Sequence, residues 1–361
     1  MTAGGNMIKT IAVIEGDDAA PEAMKPVVSL LESLNIGLEF VYPEVGEIAE
    51  EKTGSVFPDE AKAIIDRADT TFFGSTSGKS GASLMYLRWG KETYANVRPC
   101  VYIPGCASPL ANPEGIDFAI VRENLEDLYV GVEGPLEDLA PLSLSGRNIR
   151  QPIHELGKGR YAIKAITEEG TERVVRFSFE LARKRAKTRE GSPKVTSTQK
   201  HNMLRQSDGL FLDIATEVAK DYTDVEFETY IVDDFACRLI REPQKYDVIV
   251  MPNLYGDILS DAAGGLVGSL GLAASGIYGD HYAYFEPAHG TAPDIAGQNI
   301  INPTAALLTG TMMLEYLGFP HEAEKIEKAV FRVFAEGAVL TPDQGGNATT
   351  TEFIDAVGSA L

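Results

Sequence analysis

Basic residues are scarce in this chain: 32 lysines and arginines stand against 53 aspartates and glutamates, a formal net charge of −21. That acidic excess argues against nucleic acid or an anionic membrane as the main partner, although a few arginines can still make a local positive pocket for a small anion. Cysteine is scarcer still. Cys100, Cys106 and Cys237 show neither metal-ligand spacing nor a disulfide framework, which fits a reducing cytoplasm and buried structural thiols. No apolar run reaches the length of a membrane span. Residues 1–7 are too polar for a signal peptide and lack the arginines of a transit peptide, and Met7 is a second candidate start. The first strand is not followed by the Gly-x-Gly-x-x-Gly fingerprint of the common dinucleotide folds. There is no internal repeat and no low-complexity segment. What remains is a chain of 361 residues, long enough for one large domain or two ordinary ones.

The chain does have a regular alternation of elements. An apolar run at 10–14, a Gly-containing turn and a periodic stretch opening with Pro21 make a strand-turn-helix unit. Further strands are predicted at 38–42, 70–73, 116–121, 194–200, 226–232 and 248–251, and helices at 59–67, 171–185, 210–219, 304–317 and 321–336. Strands alternating with helices predict an α/β protein with a mostly parallel sheet. Between 131 and 170 the pattern weakens into Pro, Gly and mixed polarity, which reads as an excursion such as a dimerisation arm. One loop imitates a phosphate binder. The stretch 74–80, Gly-Ser-Thr-Ser-Gly-Lys-Ser, is one residue short of Gly-x-x-x-x-Gly-Lys-Ser and has no magnesium-binding sequel, so it reads as a plain loop.

The chemistry concentrates at 246–261. Val248-Ile-Val-Met251 predicts a strand buried on both faces; Pro252 and Asn253 end it, Gly256 turns the chain and a helix begins. Asp257 and Asp261, four apart, then share one helix face. Two acids delivered to one point suit a hard divalent cation, which wants oxygen ligands. In isolation the preference of acids for helix N-termini explains the pair equally well, so its partners decide. Arg88, Arg98 just before Pro99, and Arg122 at a strand end are placed to fork onto carboxylates. The loop 285–297 gathers glycine, threonine and proline around His289 and exposes backbone N–H groups suited to phosphate and adenine.

Taken together, Leu87-Arg88 through Val97-Arg98-Pro99, Val121-Arg-Glu-Asn124 to Tyr129, Lys200 with Asn202, Asp233, Asn253 to Asp261, and Glu286 to Asn302 are six blocks in order. They resemble the metal-dependent β-decarboxylating dehydrogenases, the isocitrate/isopropylmalate dehydrogenase family. The resemblance implies that family's α/β fold, with a large cofactor-binding domain from 1–98 and 246–361. A smaller α/β domain, 99–245, would carry the substrate and dimer surface with its arm near 131–170. It also implies roles. Arg88, Arg98 and Arg122 would hold substrate carboxylates, with Ser83, Leu84 and Asn202 beside them. Asp233, Asp257 and Asp261 would bind Mg²⁺ or Mn²⁺ in a site shared across a homodimer. Lys200, with Asp257 nearby, would assist loss of the hydroxyl proton, and Tyr129 would protonate the enol at C3 once CO₂ has left. Glu286, His289, Gly290, Thr291, Ala292, Asp294, Ile295 and Asn302 would line the dinucleotide. Asp294, five after the loop histidine, accepts from a free ribose 2′-hydroxyl and repels a 2′-phosphate, which implies NAD rather than NADP.

The substrate is where the chain leaves the family's patterns. Isocitrate enzymes resembling it carry Ser and Asn where Ala82 and Leu84 stand, and the apolar Leu84 and Met85 look more like isopropylmalate or malate enzymes. The acid expected of isopropylmalate enzymes is replaced by Gly81, while 122–129 and 290–293 resemble bacterial isocitrate enzymes. The loop 76–83 is short, and a slip of one residue would leave Lys79, Ser80 or Ser83 free to meet a polar group. The first turn holds Asp18 and Ala20 where glycines are usual. The balance favours isocitrate, oxidised to 2-oxoglutarate, slightly over 3-isopropylmalate, D-malate or homoisocitrate. A non-catalytic regulatory subunit is the reading from another class, and the presence of Lys200, Tyr129 and all three aspartates speaks against it.

Overall fold

The computed structural model describes residues 8–189 and 191–361; the alternative start at Met7 lies outside them. Its centre is a ten-stranded sheet. In chain order the strands are β1 (Lys9–Ile14), β2 (Leu38–Val41), β3 (Thr70–Phe73), β4 (Ala95–Val101), β5 (Asp117–Glu123), β6 (Glu133–Pro135) and β7 (Arg160–Ala162). There follow β8 (Lys194–Gln199), β9 (Glu226–Ile231), β10 (Val248–Met251), β11 (Gly276–Tyr278) and β12 (Ala283–Phe285). The spatial order is β2-β1-β3-β12-β11-β4-β5-β10-β8-β9, while β6 and β7 pair separately as a two-stranded ribbon in the predicted arm. Two parallel blocks, β2-β1-β3-β12 and β5-β10-β8-β9, are joined through the antiparallel pairs β12-β11, β11-β4 and β4-β5.

Strand alternation sends consecutive apolar side chains to opposite faces, and both faces are covered, as a parallel sheet requires. In the first block, Ile11 and Val13 join one core cluster and Ala12 and Ile14 another. The helices on the first of these are α1 (Ala20–Ser33), α2 (Thr304–Leu317), α3 (Pro320–Glu336) and α4 (Thr350–Ala360). In the second block Val248 and Val250 pack with α5 (Glu168–Arg185) and α6 (Ser207–Ala219), and Ile249 and Met251 with α7 (Val232–Arg241) and α8 (Asn253–Val267). Among the described residues, no helix is long and apolar enough to cross a membrane.

Three expectations need correction. Helix α8 begins at Asn253, so Gly256 lies inside it and does not turn the chain. The stretch around Arg98 and Pro99 is strand β4, which is missing from the strands predicted. Cys100 and Cys106 are buried, but Cys237, on α7, is exposed.

Candidate active site

The join between the two blocks sets the site. Val97, Gly276 and Phe285 share one level of the sheet, so Arg98 and Glu286 each follow at the next step. On the other side Arg122, near the end of β5, lies opposite Met251, and β10 leads directly into α8.

Arg122 is 1% exposed. Its Nε donates to Asn253 Oδ1 at 2.7 Å, its Nη1 donates to Asp257, and its guanidinium lies 4.9 Å from the centre of the Tyr129 ring. Arg98 donates to Ser260 Oγ at 2.7 Å and Asp261 Oδ1 at 2.9 Å, and approaches Asp257 at 3.5 Å. The Tyr129 hydroxyl donates to Asp257 Oδ2 at 2.5 Å. Gly256 makes this convergence possible, because a Cβ there would sit 2.6 Å from Arg122 Cβ and 2.7 Å from its Cγ. Arg88 is buried in a single wide turn, Tyr86–Gly90, where Lys91 N–H reaches back five residues to the Tyr86 carbonyl.

Burial and crowding of like charge by Arg98 bring the Arg122 pKa down to about 10. Burial raises Glu286 against the pull of Arg88, and raises Asp261 against the pull of Arg98. Burial and the bond to Asp257 raise the Tyr129 phenol, so it stays protonated and able to donate. Arg88 Nε, Arg98 Nε and Arg122 Nη2 are buried without a hydrogen-bond partner. Unsatisfied cationic donors are costly and call for an anion.

Lys200 and Asp233 stand apart from this cluster. The end of β8 lies beside the end of β9, so Lys200 Nζ pairs with Asp233 Oδ1, and Asn202 is exposed next to them. Among the described residues, no three His, Cys, Asp or Glu side chains cluster as metal ligands. One chain therefore brings together Asp257 and Asp261 but not Asp233.

On the segment before Arg88, a five-residue helix at Gly81–Met85, Ser83 is fully buried and its hydroxyl donates to the Ser80 carbonyl at 2.6 Å. Leu84 packs on the core beside Ile14 and Leu87, while Met85 is 45% exposed. Asp17, which sequence reasoning passed over, organises the loop ahead of it. Its Oδ2 accepts from Thr76 Oγ1 (2.6 Å), Ser80 Oγ (2.7 Å), Ser77 N (3.0 Å) and Gly78 N (3.0 Å). Burial alone would raise this carboxyl, but the Ser80 and Thr76 hydroxyls and the two N–H groups hold it below the usual range. Lys79 is paired with Glu50. Asp18 takes the left-handed conformation, φ +53°, that glycine adopts without strain.

The dinucleotide candidates form one loop packed against the first turn. Ser75 Oγ donates to the His289 carbonyl at 2.6 Å, and Ala19 N–H to the Thr291 carbonyl at 3.0 Å. His289 Nδ1 donates to the Gly290 carbonyl at 2.8 Å and burial lowers the ring's pKa, so Nε2, buried and unpartnered, is a free acceptor. A Cβ at Gly290 would meet open space. Ala292 and Ile295 rest against the core, Asp294 is exposed, and Asn302 Nδ2 donates to Asp343 at 2.9 Å. Asp343, a second residue the sequence did not single out, also receives Ser269 and Thr341. A concavity of about 480 Å³ beside Arg183, Lys184 and Lys187 lies elsewhere and includes none of the candidates.

A family model described as isocitrate/isopropylmalate dehydrogenase matches residues 10–357. The chain belongs to that family. A 3-isopropylmalate dehydrogenase of Archaeoglobus fulgidus is 41% identical, covering 98% of this chain and 100% of its own. An isocitrate/homoisocitrate dehydrogenase of Thermus thermophilus is also 41% identical, covering 98% and 99%. The crystal structure of isocitrate dehydrogenase from Methylococcus capsulatus superposes with a TM-score of 0.84 at 34% identity, covering 98% and 99%. An isocitrate/isopropylmalate dehydrogenase in this sense is an NAD-dependent decarboxylating dehydrogenase, and the α/β fold expected from the six blocks is the fold found.

Proposed function

We propose that the enzyme oxidises a 2-hydroxy-3-carboxy acid whose third substituent is apolar, a 3-alkylmalate, with NAD as oxidant and loss of the 3-carboxylate as CO₂. The observation that carries this reading is the trio of buried, unpartnered donors on Arg88, Arg98 and Arg122, set beside Asp257, Asp261 and Tyr129. Those donors fit two substrate carboxylates. Asp257 and Asp261, with Asp233 from a second copy of the chain, would hold Mg²⁺ or Mn²⁺. When bound, that ion supplies the positive charge that makes the 2-hydroxyl easier to deprotonate and draws electrons from the breaking C–C bond.

The residues divide the remaining work. Lys200, also from the second copy, would assist loss of the hydroxyl proton. Residues of the 286–302 loop would hold NAD, which would supply the hydride acceptor for C2. Tyr129, kept protonated beside Asp257, delivers a proton to C3 after CO₂ departs. His289 Nε2, a buried acceptor, fits an exocyclic amine such as that of adenine, and exposed Asp294 disfavours a 2′-phosphate, supporting NAD over NADP. The separation of Lys200 and Asp233 from Asp257 within one chain supports a homodimer with shared sites. The free thiols, two of them buried, are compatible with a reducing cytoplasm.

Side-chain placement moves the substrate preference away from isocitrate. Ser80 is tied to Asp17, Ser83 to Ser80 and Lys79 to Glu50, so none is free for a third carboxylate, while Met85 is exposed one turn from Arg88. Isocitrate remains the second reading, supported by the likeness of 122–129 and 290–293 to isocitrate enzymes. The test is NADH formation by the purified protein with Mn²⁺ on 3-isopropylmalate, 3-methylmalate, D-malate, isocitrate and homoisocitrate. A higher kcat/KM for isocitrate than for either alkylmalate refutes the preference, and turnover that survives a chelator refutes the metal.

A further inference from the structure

Outside the residues assigned above, one group of buried charges touches the segments of Lys200, Tyr129 and Asp257. Lys164, at the base of the arm, has a side chain only 13% exposed. Its Nζ lies 2.5 Å from Asp208 Oδ1 and 3.4 Å from Asp127 Oδ1, and both carboxylates are fully buried. It also lies 4.5 Å from the centre of the Tyr255 ring. The second oxygen of each aspartate is used as well. Asp208 Oδ2 accepts the backbone N–H of Lys200 at 2.7 Å, and Asp127 Oδ2 accepts the backbone N–H of Leu254 at 2.9 Å. Asp127 is two residues before Tyr129. It is held at φ +68°, ψ −141°, a conformation that a non-glycine residue keeps only under constraint, and its main chain exchanges hydrogen bonds with Ala165.

From this arrangement we infer that Lys164 is a positioning residue, clamping the segments of Lys200, Tyr129 and Asp257 into one alignment and tying that alignment to the arm. The roles of those three residues rest on the proposed reaction; the clamp itself rests on the distances above. A surface ion pair would do little of this, because solvent screens it and its side chains pay the entropy of ordering. A lysine buried between two fully buried carboxylates has no such release: removing the cation leaves two buried like charges without their shared partner, which drives them apart or draws in water. Either response loosens the backbone N–H groups of Lys200 and Leu254. In a dimer with shared sites, Lys200 serves one site and Tyr129 and Asp257 the other, so a single lysine would join elements of both.

The test compares wild type, Lys164→Met and, as control, Lys328→Met on the exposed face of α3. Steady-state kinetics and residue-resolved hydrogen exchange are measured on the intact protein. Lys164→Met is expected to lower kcat on the order of 100-fold while KM stays within about threefold, since the substrate arginines are untouched. The Lys200 and Leu254 amides should exchange at least about tenfold faster, with β1 amides unchanged. Should Lys164→Met not fold, Lys164→Met/Asp208→Asn removes one buried acid with the lysine and should show the same kcat loss and fast Leu254 exchange. Wild-type kcat and exchange in either variant overturn the proposal, and so does faster exchange spread evenly through β1. If wild type turns over none of the hydroxy acids, the proposed reaction fails, and the exchange data still decide whether Lys164 is the clamp.

Discussion

Replacing Gly256 with alanine should damage activity far more than stability. In an ordinary helix interior the change gains roughly 1 kcal/mol. Here the new Cβ would lie 2.6 Å from Arg122 Cβ, 2.7 Å from Cγ and 3.1 Å from Cα, a fully buried side chain with no room to swing away. Overpacking of this kind costs about 1–3 kcal/mol, so the net change is between zero and roughly 2 kcal/mol, a Tm shift of a few degrees at most. Restoring ordinary contact requires the Arg122 stem to retreat by about 1 Å, and displacements of that size at a reacting centre cost on the order of 100-fold in rate, equivalent to about 2.7 kcal/mol of transition-state stabilisation. Urea unfolding and kcat/KM on the preferred hydroxy acid measure the two effects separately. Gly265→Ala is the matched control, because it lies on the same helix with nothing within 4 Å of its Cβ, and it should gain stability without losing activity. A Gly256→Ala enzyme with kcat/KM within about threefold of wild type would falsify the close-approach role of this glycine.

Asp294→Lys should lower NAD selectivity over NADP by on the order of 100-fold, since like-charge repulsion of a 2′-phosphate becomes attraction; unchanged selectivity would remove Asp294 from the ribose site. Burial raises the Glu123 carboxyl to about 7, against the N–H groups of Leu125 and Glu126. A raised acid favours the protonated folded state, so its contribution is intact below about pH 4.5 and declines by roughly 3 kcal/mol as pH rises to 7. Glu123→Gln should flatten that slope of stability with pH, whatever it does to the absolute level, and equal slopes in both proteins count against the raised value. Asp17→Asn should free the 76–80 loop by weakening its four hydrogen bonds, so trypsin should cut after Lys79 at least about tenfold faster. Cleavage at the wild-type rate would mean the loop is held by something other than Asp17.

Sequence reasoning read best where one local rule decided the outcome. The strands at 70–73 and 248–251 and the helix at 59–67 appear with the bounds expected, because short β-branched or aromatic runs and clear helical periodicity leave little choice. β4 was hidden by its proline. Pro99 pairs with Ala119 on one side, but β11 reaches only as far as Val97 on the other, so the missing N–H faces an open edge. Gly256 misled for a different reason. Its glycine serves a contact with a residue 134 positions earlier, Arg122, and no local pattern encodes that. The same holds for Asp17, Asp343 and the Lys164 cluster, whose partners are distant in sequence. The arginines and acids of the site were legible only as a set, since each alone is a common surface residue.

The ion pairs of Asp257 and Asp261 with Arg98 and Arg122 bear on how ligands enter. At rest the cluster is its own counterion. A cation arriving alone must compete with two guanidinium groups, and a dicarboxylate arriving alone must compete with two aspartates. Arriving together, each frees the other's partners, and the displaced pairs are exchanged rather than broken. Under the proposed reaction, metal and substrate affinities would thereby be thermodynamically linked, each raising the other by the same factor. The enzyme would thus respond to the concentration of the preformed metal–acid chelate more steeply than to either component, and a surplus of free metal would not substitute for missing acid.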